Sequence, residues 1–129
     1  MARGRLPDAF AVTRLGFMKI FYGSSAGRAD VSSEAPMEAS LDTALAVYHN
    51  LDSRRGFMGV VLDERLHLQL LPRRAAVRIE LLDSSKPAFD ASDVSSEVAE
   101  SLIRAAFDGQ DVFQTARQAT YEWEHTDLA

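Results

Sequence analysis

Apolar positions change their period several times along the chain, and each change predicts an element. Residues 17–22 (FMKIFY) are rich in aromatic and β-favouring side chains and run into Gly23-Ser-Ser-Ala-Gly27. That combination predicts a strand ending in a turn. Residues 28–37 are polar, contain Pro36 and are expected to form the longest loop. Leu41, Ala44, Leu45, Tyr48 and Leu51 then recur at helical spacing, with Asp42, Thr43, His49 and Asn50 on the other side. This is the pattern of an amphipathic helix, capped by Ser40 and stopped before Gly56.

The centre of the chain alternates with a period of two. Three apolar runs, 57–62, 66–71 and 76–82, are separated by connectors of hairpin length. Folding the first pair about Glu64 and the second about the Arg73–Arg74 bond aligns Val60 with Leu68 and Ile79, and Met58 with Leu70 and Val77. Leu62, Leu66 and Leu81 complete that face, while the other face pairs Gln69 with Arg78 and His67 with Glu80. Apolar residues meet apolar ones and opposite charges meet, as an antiparallel meander requires.

A short strand is expected at 88–90, followed by a helix over 93–108. Its polar stripe would be Asp93, Glu97, Glu100, Arg104 and Asp108, its cap Ser92 or Asp93, and its stop Gly109. Residues 119–124 alternate polar and aromatic and predict a final edge strand. The predicted class is α+β: a mostly antiparallel sheet with a central three-stranded meander and two amphipathic helices packed on one face. Residues 18–129 would form a single domain, preceded by a poorly ordered basic arm over 1–17.

At 129 residues and 47% hydrophobic, the chain suits one globular core. It has no cysteine, which removes disulfides, thiolate nucleophiles and Cys-based zinc sites. No stretch approaches the ~20 apolar residues of a membrane span. The N-terminal segment lacks an unbroken apolar run, so a cytoplasmic location is expected and no membrane association. The net charge of −5 argues against a nucleic-acid binder. Its distribution is uneven. Arg3, Arg5, Arg14, Lys19 and Arg28 against Asp8 alone give the first 28 residues +4, which leaves −9 for the rest. After Asp83, three cationic residues face nine acids, and such an acidic region suits a basic partner.

Specific chemistry is thin. Residues 19–27 (KIFYGSSAG) resemble the first strand and phosphate loop of flavodoxins, in which backbone N–H groups cradle the FMN phosphate. That likeness supports a competing reading as a flavodoxin-like FMN or phosphate-ligand protein using Ser24, Ser25 and Gly27. Ala29 stands where the family has a threonine, and the rest of the chain lacks strand–helix alternation. No cofactor is therefore expected. His49, His67 and His125 are dispersed and there is no HExxH, so no metal site is expected. His67 opposite Glu80 would be either an acid–base pair or, more commonly, a cross-strand ion pair. No GxSxG elbow supports a hydrolase triad, and no catalytic residue is assigned. Trp123, flanked by Glu122 and Glu124, has two readings: core packing, with Tyr121 and Trp123 inward and the glutamates in water, or an interface, with Trp123 as an aromatic anchor in an acidic rim. The face carrying Phe57, Val61, Leu71 and Leu82 is apolar enough for a homodimer or a larger homo-oligomer.

The layout over residues 38–126 is similar to small bacterial immunity proteins of polymorphic toxin systems, of the Imm1-like type. The likeness lies in an early amphipathic helix, a central meander, a late helix running into Gly109 and a terminal Tyr121-Glu-Trp-Glu124. The resemblance implies a non-enzymatic protein that binds a toxin domain and occludes its active site. Partner-binding residues are then expected at Glu97, Glu100, Asp108, Glu122, Trp123 and Glu124, facing a basic toxin.

Overall fold

The computed structural model describes residues 16–24 and 30–127. Ser25, Gly27, Ala29 and the arm over 1–15 lie outside the described residues. The alternating segments form strands β1 (Phe17–Gly23), β2 (Met37–Ser40), β3 (Phe57–Val61), β4 (Leu66–Pro72), β5 (Val77–Asp83), β6 (Ala88–Val94) and β7 (Glu124–Asp127). The helices are α1 (Leu41–His49), α2 (Ser96–Phe107) and α3 (Val112–Ala119). All seven strands join one antiparallel sheet in the order β2-β1-β3-β4-β5-β6-β7. Sequence neighbours are thus spatial neighbours except where α1 carries the chain from β2 back to β3, on the far side of β1.

One sheet face is dry. Ile20, Met58, Val60, Leu68, Leu70 and Ile79 have no exposed surface, and they meet Leu102 and Ile103 of α2 and Ala44 and Tyr48 of α1. Each such aliphatic side chain contributes about 1.5–3 kcal/mol by leaving water. The α+β class with a central meander therefore holds, with three helices among the described residues. The third, α3, is not among the two expected; it is eight residues long and buries Val112 and Ala116.

The β3–β4 register is as expected, with Met58 opposite Leu70 and Val60 opposite Leu68. The β4–β5 register is displaced by two residues: Leu68 faces Leu81, Leu70 faces Ile79 and Pro72 faces Val77. His67 consequently lies opposite Leu82 and Glu80 opposite Gln69, so neither the His67–Glu80 nor the Gln69–Arg78 pair forms. A two-residue shift keeps every side chain on its face, so burial cannot distinguish the two registers. The turn decides. It spans four residues, closed by the Arg73 N–H donating to the Ala76 carbonyl at 2.8 Å, with the Arg73 guanidinium donating to the Gly56 and Pro72 carbonyls.

Strand β6 runs on to Val94, taking residues expected in the second helix. Its cap is Ser95, whose hydroxyl accepts from the Val98 N–H at 3.2 Å; Ser92 and Asp93 belong to the strand. Helix α1 is capped by Ser40 as expected and closes at Asn50, well before Gly56, with the Asn50 side chain donating to the Ala46 carbonyl. Phe57, Val61, Leu71 and Leu82 share the face turned away from the helices, each partly buried. At its centre the Phe21 ring lies over Gly59, 6.5 Å from Phe57 and edge-on to His67 at 5.9 Å.

Candidate functional site

The acidic C-terminal region is built around α2, α3 and the loop into β7. Helix α2 ends where Gly109 adopts φ +77, a left-handed conformation that returns the Gly109 and Gln110 N–H groups to the Ala106 and Ala105 carbonyls. Two residues later Asp111 caps α3 by accepting from the Gln114 N–H at 3.1 Å. After Ala119 the chain turns extended at Thr120 and passes through Tyr121, Glu122 and Trp123 before joining β7.

The six expected partner-binding residues do not form one patch. Glu97 is exposed in the first turn of α2, and Asp108 caps its last turn, about 16 Å along the axis. Glu100 is held by His49 of α1, with Nε2 to Oε2 at 2.9 Å. Glu124 lies on the sheet face turned away from the helices, where its Oε1 accepts from Arg78 Nη2 at 3.0 Å. Trp123 is part-buried against the core; its Nε1 donates to the Thr120 carbonyl at 3.2 Å and the Arg117 guanidinium stands 5.2 Å above its ring. Glu122 is exposed, while its carbonyl accepts from the buried Ser92 hydroxyl at 2.6 Å.

The inward reading of Tyr121 is overturned. It is 93% exposed, the only large hydrophobic side chain so displayed among the described residues. The expected strand over 119–124 begins only at Glu124: Ala119 closes α3 and residues 120–123 form an irregular connection. Without strand geometry, alternation no longer places Tyr121 and Trp123 on the same side.

No known protein family, curated protein or solved structure matches the chain.

A polar cluster invisible to sequence spacing anchors this loop. His125 sits between two carboxylates, Nδ1 to Asp90 at 2.6 Å and Nε2 to Asp127 at 3.0 Å. The other Asp90 oxygen accepts from Arg117 Nη2, also at 2.6 Å. The Arg117 hydrogen bond holds the Asp90 carboxyl below the usual aspartate range, with His125 adding to the effect. Asp90 and then Asp127 raise the His125 imidazole above its ordinary value. Four residues scattered over β6, α3 and β7 meet only because β7 pairs with β6 in this register. Among the described residues no group of histidine, cysteine and acidic side chains is arranged to hold a metal ion.

The remaining expectations fall elsewhere. The Ser24 N–H and hydroxyl both bond to the Asp30 carboxylate, so an anion from the chain itself occupies these donors of the phosphate-loop reading. An antiparallel sheet also differs from the doubly wound parallel sheet that a flavodoxin-like protein requires. Glu80 lies beside Arg78, Oε2 to Nε at 3.6 Å, and burial pushes its carboxyl up. Burial pushes the His67 imidazole down.

Proposed function

We propose that this chain is a non-catalytic protein-binding module of the bacterial cytoplasm, in the manner of an immunity protein that blocks a basic toxin domain. The observation that carries the reading is Tyr121, fully displayed on a loop that the rest of the structure holds firmly. An exposed aromatic costs solvation and contributes nothing to the core, whereas at an interface it is a favoured anchor. The Trp123, Ser92 and Arg117 contacts fix the loop on both sides of the tyrosine, so little conformational freedom remains to be lost on binding. Glu122 beside it supplies the negative charge that speeds encounter with a cationic surface. No helix among the described residues is long and apolar enough to cross a membrane.

The test is co-expression with the polypeptide encoded by the adjacent gene, scored as growth and as affinity of the purified pair. Wild-type chain should restore growth, and Tyr121→Ala should weaken the complex about 30-fold, as loss of a hot-spot aromatic does. The reading fails if wild-type chain gives no protection. It also fails if Tyr121→Ala binds as tightly as wild type.

A further inference from the structure

A concavity of about 800 Å3 opens at the other end of α3, between the β3–β4 turn, the β5–β6 turn and the α2–α3 corner. Leu62, Leu66, Val112 and Phe113 line it with apolar surface, and Asp63, Glu64 and Asp111 contribute carboxylates. The one cation among the described lining residues, Arg65, is already neutralised by Asp83 at 3.1 Å. One oxygen of Asp63 is taken by the Arg65 and Leu66 N–H groups, and one of Asp111 by the Gln114 N–H. Glu64 is exposed and makes no polar contact with any described residue, so both its oxygens are available. Helix α3 has eight residues, so this concavity and Tyr121 are separated by a helix about 12 Å long. A single partner of ordinary interface size spans that distance.

We propose, building on the docking role given to Tyr121, that this concavity receives an arginine-bearing segment of the same protein partner. The charge excludes an acidic occupant, and the apolar lining excludes a purely hydrophilic one. Arginine fits better than lysine because its weakly hydrated planar guanidinium can lie on the Phe113 ring while donating to Glu64. Apolar neighbours in the partner segment cover Leu62 and Leu66.

The probe is a decapeptide of alternating leucine and arginine, with a twin carrying glutamate for arginine, titrated into the full 15N-labelled chain. The arginine peptide should shift the amides of residues 62–66, 84–85 and 109–113, and the twin should not. Glu64→Lys should weaken binding about tenfold, whereas Glu97→Lys, an equal charge change in the first turn of α2, should alter it less than twofold. Equal losses in the two variants would mean a diffuse acidic surface and overturn the proposal. So would shifts centred elsewhere, or no binding of the arginine peptide. The two readings fail separately. A Tyr121→Ala defect in partner binding, with no peptide uptake by the wild-type chain, removes the concavity alone. Peptide uptake without growth protection removes the immunity role alone.

Discussion

His125 shows how much a single residue can do at the edge of this sheet. Bridged between Asp90 and Asp127, it ties β7 to β6 through side chains as well as through the backbone ladder. Its raised proton affinity means that its stabilising contribution is complete below the ordinary histidine value of 6.5 and is lost as pH rises through the raised folded value. Asp90 behaves in the opposite sense. Its contribution is present above the ordinary aspartate value of 3.8 and is lost as pH falls through the lowered one. The clamp is therefore closed from below the usual aspartate range to above the usual histidine range. An NMR titration should find the His125 midpoint above that of His67, and Asp90→Asn should bring it down. An unmoved midpoint in that variant would remove the clamp. Gly59 makes a different single-residue demand. A Cβ there would lie 2.0 Å from Phe21 Cζ, and Phe21 is nearly buried between Phe57 and His67. Gly59→Ala should cost about 1–3 kcal/mol in urea unfolding, the usual penalty of overpacking. Combining it with Phe21→Leu should cost less than the two changes summed.

The elements have sharper boundaries than their residue patterns suggest, because capping and pairing override periodicity. Residues 93–108 read as a continuous helix, yet β6 keeps Asp93 and Val94, which pair with Arg78 and Val77 of β5. The boundary is set at Ser95, the first position whose hydroxyl can satisfy the Val98 N–H. Ser95→Ala should thus cost about 1 kcal/mol in thermal or urea unfolding, as removal of an N-cap does. Asp93→Ala, at an exposed strand position, should stay within about 0.5 kcal/mol of wild type. Similar losses in both variants would put the helix start in the wrong place. The meander was legible because alternation with a period of two separates a dry face from a wet one, and Met58, Val60, Leu68 and Leu70 all fall as that rule requires. The β4–β5 register was not, since a two-residue slip preserves the alternation and only the Arg73–Ala76 turn distinguishes the two. Strand β2 was missed for another reason. Four residues, of which only Ala39 is buried, carry too little pattern to stand out from a polar loop.

At the scale of the whole molecule, the charge of −5 is distributed by the fold rather than by sequence proximity. Glu100 is spent on α1, Glu124 on the far sheet face and Asp90 in the His125 clamp, so the acids of the last third do not act together. What remains outward along α3 is the Tyr121 loop at one end and the Glu64 concavity at the other. An aromatic beside acids was visible in the sequence, but which aromatic is displayed depends on α3 ending at Ala119 and the chain turning at Thr120. That exchange of roles between neighbouring aromatics separates folding from docking experimentally. Trp123 contributes packed surface, a hydrogen bond to the Thr120 carbonyl and a cation–π contact with Arg117, and all three are lost in Trp123→Ala. The loss should amount to about 2–4 kcal/mol in urea unfolding, toward the lower part of the range for aromatic truncations because the ring is only part-buried. Tyr121→Ala removes a side chain that is 93% exposed and should leave the unfolding midpoint within about 0.5 kcal/mol of wild type. Comparable destabilisation in the two variants would mean that Tyr121 is packed in solution, and its place as the docking anchor would go with it.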